Sequence, residues 1–230
     1  MSKLVFYSNK NSHGRRDATG AFIPEAKKFA KFHGIPDENV IGIDGTKSNP
    51  AARRRAQVLN ALRDVEQLEL LAFFAHGWPN GIQFGFQRKH IQLLVGHFPA
   101  KPYLKVVLYA CLNAENDKRD RDHRNVGPGT DGGFADLMRD EMVRFGMTEG
   151  RVDAHKTAGH TSWNPYVVRF PCEDVQDEEF GAEGGGWIVE PGSTYWKKWV
   201  KALRVNVNDI RYNFPMMDEA DILNELRGIW

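Results

Sequence analysis

The chain has 230 residues, with 31 basic and 30 acidic side chains and a net charge of +1, which suits an α/β domain and offers no broad field to nucleic acid or to an anionic membrane. Its two cysteines, Cys111 and Cys172, have neither the number nor the spacing of a disulfide framework or a zinc knuckle, so reduced thiols are expected. Met1-Ser2-Lys3 leads only into Leu4-Val5-Phe6-Tyr7, and no apolar run approaches the ~20 residues of a membrane span; the expectation is a soluble, cytoplasmic protein.

The first strand is predicted over Leu4 to Tyr7, followed by a polar loop from Ser8 to Gly20. A helix carrying Phe22, Ala26, Phe29, Ala30 and Phe32 then ends near Gly34-Ile35-Pro36. Val40 to Ile43 reads as a second strand. Asn49 is the expected N-cap of an arginine-rich helix with Pro50 at its first position and Ala52, Ala56, Leu59, Leu62 and Val65 on one face. Leu70 to Ala75 is a third strand running into His76-Gly77. After the turn Trp78-Pro79-Asn80-Gly81 come an Ile82 to Phe86 stretch and a helix through Ile91, Leu94 and Val95. Leu104 to Ala110 is a fourth strand running into Cys111. A long polar loop, Asn113 to Gly133, leads to a helix presenting Phe134, Leu137, Met138, Met142 and Phe145. Arg151 to His155 and Tyr166 to Phe170 read as later short strands at one edge of a mainly parallel, doubly covered sheet.

Short apolar runs of this kind are buried parallel strands, and such sheets put chemistry at the carboxyl ends of their strands. His76 and Cys111 therefore stand where a base and a nucleophile would, separated by one crossover's length of chain. A thiol needs a neighbouring imidazole because at neutral pH it is only a few per cent thiolate. Gly77 permits close backbone approach, and its N–H with that of Cys111 would form an oxyanion hole.

The two contexts, apolar strand plus His76-Gly77 and apolar strand plus Ala110-Cys111, resemble those of the caspase-like cysteine peptidases, nearer to the bacterial CHAT-domain and metacaspase types than to caspases proper. In that family the histidine follows the third strand and the cysteine the fourth. The resemblance implies a three-layer α/β/α fold with a mainly parallel sheet and cysteine endopeptidase activity on a polypeptide substrate. It makes His76 the base and acid, Cys111 the nucleophile, and the Gly77 and Cys111 amides the oxyanion hole. Cys111 is followed by Leu112-Asn113-Ala114 and lacks the arginine-glycine of caspases, so cleavage after aspartate is not implied.

Arg15 and Arg16, in the loop after the first strand, are candidates for binding an acidic substrate side chain. Asp131, in a Gly127 to Gly133 loop that matches a dinucleotide pattern without its preceding strand, and His160, in the turn Thr157 to Thr161, are candidates for lining the site. Asp153, His155 and His160 form the other cluster of conceivable metal ligands, but no partner motif joins them and no metal is assigned. No cofactor is expected; calcium is the one ion considered, for the acidic run Asp174 to Glu183, whose spacing fits no calcium loop. The sequence divides into a core over 1–170 and, over 171–230, an acidic loop and a tryptophan-rich helical cap packed on the same domain. Two alternatives to a peptidase are a non-catalytic caspase-like binding or effector module and a phosphate- or nucleotide-binding α/β protein using the Gly127 to Gly133 loop.

Overall fold

The computed structural model describes residues 2–10, 19–99, 102–114, 133–155, 166–173 and 185–187. Its centre is a seven-stranded sheet in the order β10-β9-β8-β7-β3-β1-β2. The strands are β1 (Ser2–Lys10), β2 (Val40–Asp44), β3 (Leu68–Phe74), β7 (Lys105–Tyr109), β8 (Arg151–Ala154), β9 (Tyr166–Pro171) and β10 (Gly185–Trp187). The pairs from β2 to β8 are parallel, while β9 and β10 are antiparallel additions at one edge. The α/β class and the mainly parallel sheet expected from the sequence are thus observed. β10 lies in a glycine-rich stretch that reads as loop, and the sheet runs past residue 170 through β9 into it.

Alternation along the strands sorts the core. Leu4 and Phe6, Leu71 and Phe73, Val106 and Leu108, and Val152 and Ala154 join one apolar cluster with side chains of α2 (Ala51–Arg63), α3 (Ile91–Val95) and α4 (Phe134–Arg144). The intervening Phe74 and Tyr109 instead meet Phe29 of α1 (Thr19–His33), at ring separations of 5.5 and 5.8 Å. Helices therefore contact the sheet on both faces.

Both α1 and α4 stop in the same way. Gly34 and Gly146 take φ values of +63° and +82°, and the next residue's N–H reaches back, Ile35 to the Ala30 carbonyl and Met147 to that of Met142. This is the Schellman stop, and it seats the buried Ile35 and Met147 against the core. It also ends α4 one residue before Phe145, which is exposed instead of sharing the helix's buried face as expected.

α2 departs further from its predicted pattern. Pro50, not Asn49, is the N-cap residue; the Asn49 side chain, instead of capping the helix, donates to the Asp44 carbonyl and to the Gln57 side chain within α2. Ala52 and Ala56 are exposed, and the inward stripe is Arg54, Arg55, Val58, Leu59 and Leu62. The reason is polar. Arg54 donates to the Asn49 carbonyl (2.7 Å) and Arg55 to that of Gly85 (2.7 Å), so two guanidinium groups close neighbouring loops while their stems cover apolar surface. α3 has only five residues. The stretch before it forms a separate three-stranded sheet of β4 (Gly77–Trp78), β5 (Gly81–Ile82) and β6 (Phe86–Gln87).

Candidate active site

In the strand order β2-β1-β3-β7-β8 the chain winds in opposite directions from β1, and the crevice at the carboxyl ends of the strands at such a reversal is where α/β proteins bind ligands. His76 leaves β3 there, next to β1, and Cys111 leaves β7, the neighbour of β3. These are the third and fourth strands of the large sheet in chain order. The last paired residues of the two strands are Phe74 and Tyr109, and His76 and Cys111 each lie two residues beyond them. Ala75 N–H still donates to the Tyr109 carbonyl at 3.2 Å, so the strands stay adjacent to the last residue before His76. Both His76 and Cys111 are half-buried. The His76 ring packs edge-on against Phe22 of α1, 5.1 Å between centroids.

Gly77 meets the other loop directly. A Cβ there would lie 2.6 Å from Ala110 Cβ and 2.7 Å from the Cys111 carbonyl oxygen, which explains a glycine at this point. Its amide direction follows from the small sheet. Gln83 N–H donates to the His76 carbonyl at 2.8 Å, so the next pair, Gly77 opposite Ile82, is a non-bonded one in the antiparallel alternation and the Gly77 N–H turns away from β5.

Three residues not singled out in the sequence hold this arrangement. Gln83, nearly buried, accepts the His76 N–H on its side-chain oxygen (3.3 Å), and its amide nitrogen packs on Gly45 where the ends of β1 and β2 meet. Asn113 is wholly buried and donates its amide hydrogens to the carbonyls of Trp78 and Gly81, both at 2.9 Å. Leu112, between Cys111 and Asn113, has φ +62°, a left-handed conformation unusual for a leucine and costing on the order of 1–2 kcal/mol. The signals were present: an amide inside the apolar Ile82 to Phe86 run, and a polar residue two after the cysteine.

The other titratable groups of the sheet have structural surroundings. Tyr109 is fully buried, stacked on Phe74 at 4.3 Å, and burial, with Glu25 and Asp153 adding to it, pushes its phenol well above the ordinary value. His155 follows β8, is buried, and its carbonyl accepts the Ala114 N–H at 2.9 Å. Asp153 is buried with its oxygens 3.2 to 3.5 Å from Arg169, Arg151 and Lys105, so it serves three cations. Cys172 is buried, and desolvation pushes its thiol up to about 12. Among the described residues no three His, Cys, Asp or Glu side chains group as a metal site, and no helix is long and apolar enough to cross a membrane. Arg15, Arg16, Asp131 and His160 lie outside the described residues, as do all of the Gly127 to Gly133 loop but Gly133, the acidic run 174–183 and, within the expected tryptophan-rich helical cap, residues 188–230.

Compared with models of protein families, with curated proteins and with solved structures, the chain finds no match.

Proposed function

We propose that the chain is a cysteine-dependent hydrolase of peptide bonds in a polypeptide substrate, with Cys111 as nucleophile and His76 as general base and acid. The observation that carries this reading is the matched exit of His76 and Cys111 from adjacent parallel strands, two residues beyond the last paired positions. The outward Gly77 amide beside Cys111 adds an oxyanion donor, and the strained Leu112 is the kind of backbone distortion that clusters at reactive sites. Placement after the third and fourth strands of the large sheet agrees with the caspase-like resemblance.

In the reaction, His76 takes the thiol proton as Cys111 sulfur attacks the scissile carbonyl. The oxyanion rests on the Gly77 and Cys111 amides, and collapse expels the amine, protonated by His76, leaving a thioester. His76 then draws a proton from water, which hydrolyses the thioester and frees the acid.

The first test needs no substrate. Iodoacetamide should alkylate Cys111 at least about tenfold faster than the buried Cys172 at pH 7, and His76→Ala should slow the Cys111 reaction by a similar factor. Equal rates, or indifference to His76→Ala, would sink the reading. Hydrolysis of a peptide library that survives Cys111→Ala would do so as well.

A further inference from the structure

Asn113 stands two residues beyond Cys111 and joins three pieces of chain. Its side-chain nitrogen donates to the carbonyls at both ends of the β4–β5 turn, Trp78 and Gly81, and these two acceptors fix the amide's orientation. Its own carbonyl accepts the Ala135 N–H at 3.0 Å, anchoring it to the first turn of α4. Its side-chain oxygen faces Gly77, 2.9 Å from where a Cβ would stand. The hairpin carrying Gly77 is thus tied, through one buried amide, to the loop carrying Cys111. Because Gln83 holds the His76 backbone from the β1 side, the histidine and the glycine amide are positioned by different residues.

Resting on the reading above, we propose that Asn113 is a positioning residue for carbonyl addition: it sets the Gly77 amide against the site where the oxyanion forms and has no part in activating the thiol. The two halves of that statement can be separated chemically. A peptide aldehyde is attacked by sulfur at its carbonyl carbon, the C–S bond forms as the C–O π bond opens, and the thiol proton ends on the oxygen, giving a hemithioacetal whose oxygen sits in the oxyanion hole. Iodoacetamide is attacked at a saturated carbon with loss of iodide and needs no such hole.

N-acetylglycinal, a minimal peptide aldehyde, is the probe, its affinity read from protection of Cys111 against alkylation. Asn113→Leu should weaken aldehyde binding by about tenfold or more, part of the effect of losing an oxyanion donor outright, while the iodoacetamide rate at Cys111 stays within about twofold of the parent. Loss of both reactivities together would mean general disruption and overturn the proposal, as would an aldehyde affinity that does not change. Should Asn113→Leu fail to fold, Asn113→Ser, which keeps one hydroxyl donor, must give the same split in smaller measure, and an unsplit response overturns it. If Cys111 in the parent protein is alkylated no faster than Cys172, the dyad itself fails and takes this inference with it; a reactive parent Cys111 with an unsplit Asn113 response removes the inference alone.

Discussion

His76 and Cys111 are each ordinary half-buried residues, and their interest comes from where two strands end. Gly77 is the residue on which that junction turns, because its missing Cβ leaves room for the Ala110 side chain and the Cys111 carbonyl. Backbone cannot yield as a flexible side chain can, so Gly77→Ala should destabilise the protein by about 1–3 kcal/mol, seen as a lower urea midpoint with an unchanged slope. A midpoint equal to the parent's would mean the two loops are not in contact. The strand-end residues were legible as types in a pattern, histidine-glycine and cysteine after apolar runs. Gln83 and Asn113 stood out only as amides in or beside apolar runs and their roles were not legible, because a buried amide's role depends on which backbone groups the fold brings to it.

At the scale of elements, β7, β8 and β9 carry a cationic group around one carboxylate. Lys105 and Arg151 pair directly across β7 and β8, and Asp153 pairs with Arg169 across β8 and β9. Like charges opposite each other in a sheet repel, and burial, joined by Arg151 and Arg169, pulls the Lys105 ammonium down while Asp153 opposes it. Asp153→Asn leaves three partly buried cations around a neutral amide. It should cost about 3 kcal/mol in chemical denaturation, at the low end for a broken buried pair because the cations retain some water. A loss under about 0.5 kcal/mol would mean that solvent already screens the cluster. The helices divide similarly. α1 is readable to its glycine stop, whereas α4 ends short of the expected Phe145 and the inward face of α2 departs from its apolar pattern because Arg54 and Arg55 turn in to close loops that are distant in sequence from one another.

Over the whole molecule the sheet is polarised, with His76 and Cys111 at the carboxyl ends of its parallel strands and the basic residues Lys3 and Lys105 at the opposite end. His33 closes α1 at that opposite end, its ring on Phe29 at 4.2 Å and its carbonyl accepting from Lys3. A helix C-terminus ordinarily favours a cation, but burial first, then Lys105 and Lys3, lower its pKa from 6.5 to about 4. The native state therefore keeps the ring neutral where the unfolded chain protonates it. Stability is full above pH 6.5, falls as the pH drops from 6.5 to 4, and falls no further on this account below 4. Urea midpoints between pH 7 and 4 should show this slope, and His33→Gln should flatten it; an unchanged slope would place its origin elsewhere.

The sequence by itself determined the α/β class, the parallel strands and the placement of a histidine and a cysteine at the ends of two of them, because apolar runs, turn residues and period are local properties of the chain. The tertiary structure alone decided the order β2-β1-β3-β7-β8, which makes the strands carrying His76 and Cys111 neighbours, and it alone decided the antiparallel β10. It also chose the buried amides that join the loops. Each of these depends on contacts between segments far apart in the chain, and such contacts leave no periodic trace in either partner's own sequence.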